Sequence, residues 1–256
     1  MNNTYLKAFN LTDQTALITG GATGLGYGMA QCMVACGAKV VLFGRRKKEL
    51  MDACARLGGN AFALQGDVTR LDGAGTLDRA EQLAGGPVTI LVNNAGVHLK
   101  KPATETTDAD LAQVLQTHVF GAFALTREAG RRMIARRGGC ILFTASMASF
   151  MGIPLIVAYT AAKSAYVGIV RSLASEWGPH GVRVNAIAPG WIESEMLEQA
   201  LEGDTARKEK ILGRIPLGGF GNADDIGWAA VYLASPVAKY VSGVVLPVDG
   251  GAAESF

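Results

Sequence analysis

The chain has 256 residues, of which 49% are hydrophobic and 18% charged, with 33 glycines and a formal net charge of +2. That composition excludes a disordered chain, and it carries no field strong enough to select nucleic acid or an anionic membrane as a partner. The length fits one α/β domain with a large core, and no charge-free apolar run reaches the roughly 18 residues that a membrane span needs.

The opening segment MNNTYLKAFNLTD lacks the basic start and apolar run of a secretory signal. Cys32, Cys36, Cys54 and Cys140 show no spacing with histidines that suits zinc. Cys32 and Cys36 share one face of a helix and read as core thiols. A cytoplasmic, reducing setting and no metal are therefore expected.

Thr15 to Thr19 is a short β-rich run that passes directly into Gly20-Gly21-Ala22-Thr23-Gly24-Leu25-Gly26, then into an apolar helical pattern to about Cys36. Strand, glycine-rich turn and helix form the setting of a phosphate-binding loop, because glycines let the backbone approach a pyrophosphate seated on a helix N-terminus. The spacing is G-x-x-x-G-x-G. Lys39 to Phe43 predicts a second strand. Dinucleotide folds that prefer NAD carry a carboxylate at its end, to bind the ribose 2′-hydroxyl. Here that place holds Gly44 followed by Arg45-Arg46-Lys47-Lys48, and guanidinium groups suit a 2′-phosphate. NADP(H) is expected over NAD(H).

A helix from about Lys48 to Leu57 leads to a third strand, Ala61 to Gln65, which ends in Gly66-Asp67-Val68. Asp67 suits either an adenine amino group or the cap of the next helix. After a helix to about Ala84, Val88 to Val92 is a fourth strand ending in Asn93-Asn94-Ala95-Gly96, small residues that make a wall for a flat ring or sugar. Thr107 to Arg137 predicts a long helical region capped at Thr107 or Asp108, with a lone His118 inside it. The basic run Arg131, Arg132, Arg136, Arg137 suits a solvated helix end.

Cys140 to Ala145 is a fifth strand, followed by Ser146. The apolar pattern of Tyr159 to Trp177 predicts a helix that places Tyr159 and Lys163 one turn apart on one face. A free tyrosine, with a pKa of about 10, is a poor acid/base group at neutral pH, and a neighbouring ammonium favours its phenolate. Ser146 reaches the same point and donates to a substrate oxygen. Val182 to Ile187 is a sixth strand broken by Ala188-Pro189-Gly190, and Trp191 to Gly213 is a variable, partly helical excursion that forms a substrate loop. A helix over Ala223 to Ala234 and a strand over Gly243 to Val248 close the chain. Seven strands alternating with helices, with no linker or repeat, predict one open, mostly parallel, doubly wound α/β sheet flanked by helices.

In this order and spacing, TALITGGATGLG, VNNAG, the Ser146, Tyr159 and Lys163 set, APG and the closing PVDGG resemble the short-chain dehydrogenase/reductase family over nearly the whole chain. The resemblance implies a single-domain Rossmann fold across residues 1–256, a doubly wound seven-stranded parallel sheet flanked by helices, and an oxidoreductase acting on CH-OH donors with NAD(P)(H). It implies that Gly20, Thr23, Gly24, Leu25 and Gly26 line the pyrophosphate, that Asp67 and Val68 meet the adenine, and that Asn94, Ala95 and Gly96 lie along the adenosine side. Tyr159 becomes the general acid/base, Lys163 holds the nicotinamide ribose and lowers the phenol, and Ser146 polarises the substrate carbonyl. Pro189, Gly190, Ile192 and Ser194 embrace the nicotinamide end. Met147 and Trp191 flank the substrate. One departure stands out: His118 occupies the place of the family's usual asparagine, which puts the proton path to the lysine in question.

The chain most resembles the sugar-acid members, of the gluconate 5-dehydrogenase and 2-deoxygluconate 3-dehydrogenase type. His98, Lys100 and Lys101 would supply donors to a hydroxylated or anionic substrate. Reductases of 3-oxoacyl carrier protein are the rival reading, and a non-catalytic dinucleotide-binding regulator is a second. The family resemblance also implies a homotetramer.

Overall fold

The computed structural model describes residues 6–194, 197 and 201–254. Seven strands form one sheet, β1 (Thr15–Thr19), β2 (Lys39–Gly44), β3 (Ala61–Gln65), β4 (Ile90–Asn93), β5 (Gly139–Thr144), β6 (Val182–Pro189) and β7 (Val245–Val248). Their order is β3-β2-β1-β4-β5-β6-β7, and every pairing is parallel. This is the doubly wound Rossmann arrangement. The chain winds outward from β1 to β3, then returns to lay β4 on the other side of β1. The crevice between the C-terminal ends of β1 and β4 is where such sheets bind ligands.

The strands are apolar on both faces because helices cover both. On one face α3 (Gly73–Ala84), α5 (Ala122–Arg136) and α6 (Val157–Trp177) pack Leu77, Leu125, Met133, Tyr166 and Trp177 onto Leu17, Val41, Leu91 and Ile141. On the other, α1 (Gly24–Ala35), α2 (Lys47–Leu57) and the late helix Ala223–Ala234 pack Met29, Met33, Leu50, Ile226 and Val231 onto Ala16, Ile18, Leu42 and Val92. Successive strand residues serve opposite faces, which follows from the period of two in a strand.

Two elements differ from the sequence reading. The long helix is interrupted: α4 (Asp108–Leu115) gives way to a π-turn over Gln116–Gly121 before α5 begins. Its start is as expected, with Thr107 as N-cap in a reciprocal capping box with Asp110. The π-turn is a single wide turn of the kind found at functional sites, and it aims His118 inward. Second, Pro189 ends β6 rather than following a break. β5 stops opposite Ile187, so the proline's missing N–H lies beyond that ladder, and β7 still pairs with Pro189 through Val248. Of the excursion after β6, a bridge joins Ile192 to Gly221 and α7 covers Thr205–Leu212; residues 195, 196 and 198–200 lie outside the described set. The helix Ala223–Ala234 is α8.

Candidate active site

The glycine loop folds tightly against β4. Gly20 has φ +64°, the left-handed region that glycine adopts without strain. A Cβ at Gly26 would lie 2.2 Å from the Gly20 carbonyl oxygen, so only glycine lets α1 start this close to the strand. Asn94 staples the assembly. Its Nδ2 donates to the carbonyls of Thr19 and Gly20 at 3.1 and 3.2 Å, and its Oδ1 accepts from Thr144 Oγ1 at 3.2 Å. Thr19 Oγ1 in turn accepts from the amides of Asn94 and Ala95, both at 3.0 Å.

Above this switch point lies a cavity of about 510 Å³. Its walls include Gly20, Thr23 and Leu25 from the glycine loop, Arg45 and Arg46 after β2, Asp67 and Val68 after β3, and Asn94, Ala95, Gly96 and His98 after β4. His118, Tyr159 and Lys163 form its far end. Gly24, Gly26, Ser146, Met147, Pro189, Gly190, Trp191, Ile192 and Ser194 are not among its wall residues. Met147 is buried against Ile215 and Ala252, with Trp191 packed on the same cluster. Ser194 Oγ accepts from the amide of Leu197 at 3.1 Å. Sequence reasoning missed Phe43, Gly66, Val97, Thr117 and Thr144 as wall residues. Their only signal was position at or just after the C-terminal ends of strands, which Thr117, in the π-turn, lacks.

The cavity suits a dinucleotide. Thr23, the N-cap of α1, makes no side-chain capping bond, and the first turn holds no acid, so its amides stay available to an anion. Among the described residues Arg45 makes no ion pair, whereas Lys48 is held by Asp52 at 2.7 Å and Arg46 lies 3.4 Å from Glu49. Asp67 serves as the cap the sequence allowed: its Oδ1 accepts from the Thr69 amide and hydroxyl at 2.9 Å each, which holds its carboxyl below the usual range. No group of three His, Cys, Asp or Glu able to hold a metal occurs among the described residues.

At the far end, α6 brings Tyr159 and Lys163 onto one face, and Ser146 is near enough to the phenol to favour its charged form. Ser146 Oγ also accepts from the Ala148 amide at 3.1 Å, which fixes its orientation. Lys163 is 3% exposed and donates to the Thr144 carbonyl at 2.5 Å, with Nζ 5.4 Å from the centre of the Tyr159 ring. Burial pushes its ammonium down from 10.5 to about 7. The spacing argument had the lysine lowering the phenol. In the coenzyme-free protein burial dominates and raises Tyr159, and the group pulling the other way is Ser146.

Two imidazoles flank this phenol. His98 is exposed on the loop after β4 with its ring 5.1 Å from that of Tyr159, and His118 is buried with its ring 5.6 Å away and edge-on. Of the donors proposed for substrate, Lys101 is engaged by Asp110 at 2.8 Å and Lys100 is not on the cavity wall, so His98 is the one that remains at the site.

A serine, a phenol and a buried ammonium thus stand together at the end of a cavity that suits a dinucleotide, an arrangement able to serve hydride-transfer chemistry. The family model described as "Enoyl-(Acyl carrier protein) reductase" matches residues 20–253. The chain belongs to the short-chain dehydrogenase/reductase family. It is 38% identical over 250 residues to 2-dehydro-3-deoxy-D-gluconate 5-dehydrogenase of Pseudoalteromonas atlantica, covering 96% of this chain and 98% of that one. It is 39% identical over 250 residues to galactitol 2-dehydrogenase (L-tagatose-forming) of Cereibacter sphaeroides, again covering 96% and 98%. Among solved structures, gluconate 5-dehydrogenase from Burkholderia cenocepacia in complex with NADP and tartrate superposes with a TM-score of 0.92 at 31% identity, covering 98% of this chain and 100% of that chain.

Proposed function

We propose that this dehydrogenase interconverts the secondary alcohol and ketone of a sugar acid or polyol, and that it favours NADP(H) over NAD(H). The observation that carries the reading is Tyr159 standing beside Ser146 and the buried Lys163, at the far end of a cavity whose other end meets Arg45 and Arg46. The relatives named above act on sugar acids and a polyol, which favours this reading over a ketoreductase of acyl carrier protein. A pure binder has no use for the trio, which sets the regulatory reading aside.

In this reading the α1 N-terminus and Gly20, Thr23 and Gly24 receive the pyrophosphate, Arg45 the 2′-phosphate, Asp67 and Val68 the adenine, and Lys163 the nicotinamide ribose. The coenzyme supplies the hydride acceptor or donor. Tyr159 takes the proton from the alcohol during oxidation and returns it during reduction, while Ser146 donates to the same oxygen and steadies its charge. Pro189, Gly190, Ile192 and Ser194 support the nicotinamide end, residues 191–213 are the variable substrate-loop region, and Met147 and Trp191 flank the substrate. The whole chain acts as one nucleotide-binding unit.

A cytoplasmic homotetramer completes the reading. Four free thiols fit a reducing compartment. Trp228 at 53% and Tyr240 at 99% exposure are large apolar groups that a subunit interface would cover. Among the described residues no helix is long and apolar enough to cross a membrane. The test is a panel of sugar acids, polyols and acetoacetyl thioesters with each coenzyme, followed by light scattering for mass. Turnover confined to the thioesters would overturn the substrate assignment.

A further inference from the structure

His98 stands on the cavity wall beside the phenol, its ring 5.1 Å from that of Tyr159. The loop that carries it is pinned at both ends. The Val97 backbone meets the buried His118 ring, with its carbonyl oxygen 2.8 Å and its amide nitrogen 3.0 Å from Nε2. The Lys101 amide donates to the Leu155 carbonyl at 2.7 Å, and the Lys101 ammonium to Asp110 at 2.8 Å. Val97 and Leu99 pack on Val114, Ala158 and Ala162. His98 is therefore presented on a fixed backbone, yet among the described residues no hydrogen bond or ion pair holds its ring. The charged or titratable groups that bear on it are Lys100 on its own loop, His118 on the π-turn and Tyr159 on α6. Asp110, on the α4 helix packed against the loop, is committed to Lys101 and to the Thr107 amide. None of these offers His98 a negative partner.

Resting on the dehydrogenase reading, we infer that His98 is a specificity-determining residue: as the imidazolium it holds the carboxylate of a sugar acid beside Tyr159, and so selects sugar acids over uncharged polyols. The surroundings of the ring favour an anion as its partner. A ring next to Lys100 gains little from a further donor and most from a negative group, and a charge-assisted hydrogen bond is about twice as strong as a neutral one. A six-carbon sugar acid is long enough to place a carbinol at Tyr159 and its carboxylate at the neighbouring imidazole. In the free protein partial burial, and then Lys100, lower that imidazole below its ordinary 6.5, so the ring is mostly neutral at pH 7. A bound carboxylate favours the charged form. Binding of the acid therefore takes up a proton from solvent and weakens as pH rises, whereas binding of a polyol does not draw on this charge.

The test is a binding titration of the full chain with NADPH bound, read by coenzyme fluorescence. The probes are D-gluconate and D-glucitol, which differ only in a carboxylate against a CH₂OH group. Neither has a carbonyl for NADPH to reduce, so binding is read without turnover. Wild type is expected to bind D-gluconate about tenfold or more tightly than D-glucitol at pH 6, and to lose about tenfold of that affinity by pH 8.5. His98→Asn should lose most of the preference and most of its pH dependence, with far smaller changes for D-glucitol and NADPH. His98→Arg, a cation at every pH used, should keep D-gluconate tightly bound at pH 8.5. Lys163, held at about 7, titrates in the same window, but its influence survives in His98→Asn, so the difference between wild type and that variant isolates His98. A wild-type protein that does not prefer D-gluconate at pH 6, or an undiminished preference in His98→Asn, overturns the inference. If the variants do not fold, the wild-type pH dependence decides. Absence of turnover on every sugar acid and polyol would instead count against the proposed reaction, with the binding ratio judged separately.

Discussion

The imidazole of His118 stands edge-on to the phenol of Tyr159, with ring centroids 5.6 Å apart and planes at 90°. Helix α6 supplies the phenol and a π-turn supplies the imidazole, so the contact joins two elements that share no sequence signal. Each ring limits where the other can go, which ties the placement of the phenol to the helix interruption over Gln116–Gly121.

Removal of one hydroxyl should isolate the chemical step. Tyr159→Phe keeps ring packing against His98 and His118 and is expected to fold and bind coenzyme normally. Turnover should fall by about a hundredfold to ten-thousandfold, the range of a general acid/base contribution. Coenzyme titration by fluorescence beside steady-state rates checks this, and substantial remaining turnover would remove Tyr159 from the role.

Coenzyme choice should follow Arg45. Because it makes no ion pair among the described residues, its loss costs the fold little. A charge-assisted contact to phosphate contributes roughly 1.5–3 kcal/mol, so Arg45→Ala should weaken NADPH by about tenfold to a hundredfold and NADH far less. Equal losses with both coenzymes would count against 2′-phosphate recognition.

Gly96→Ala should disturb His118 before anything else. The added methyl would meet Cε1 at 2.3 Å, and overpacking of this kind typically costs about 1–3 kcal/mol. Thermal melts of Gly96→Ala, His118→Ala and the double variant should show strong non-additivity, the second change relieving the first. Additive losses would mean that the ring yields without strain.

Stability should climb with pH through the neutral range for two separate reasons. His118 is pushed from 6.5 to about 3 by burial, so as pH falls below 6.5 the unfolded chain takes up a proton that the folded site refuses, and stability drops. The full shift corresponds to about 5 kcal/mol at roughly 1.4 kcal/mol per pH unit. Lys163 is pushed from 10.5 to about 7, so its buried charge burdens the fold below pH 7 and that burden lifts between about 7 and 10.5. The carboxyls of Asp110 and Glu128, both held to about 2, lose their contribution only below their ordinary values of 3.8 and 4.5. Melting temperatures at pH 5 and pH 7 therefore read His118, and His118→Asn should flatten that difference. An unchanged difference would show that the imidazole is not excluded from protonation.

The sequence alone determined the alternation of strands and helices, the glycine loop, and the pairing of Tyr159 with Lys163. Each of these is local: a period of two or 3.6, a turn that only glycine can make, or residues one helical turn apart. The basic run after β2 was legible for the same reason, since it stands at a fixed place after a strand. Only the tertiary structure decided what depends on distant segments meeting. It gave Asn94, a cavity wall, a second part as a staple between β1, β4 and β5, tied Lys101 to Asp110 and left His98 at the site. It also broke a continuous helical pattern with a π-turn, because the close approach of Gly121 to the Val68 backbone and of His118 to Gly96 is set by packing that no local pattern encodes. The direction in which Tyr159 shifts belongs to the same group, since burial is a property of the whole fold, and the group opposing it is Ser146 rather than the lysine that the spacing revealed.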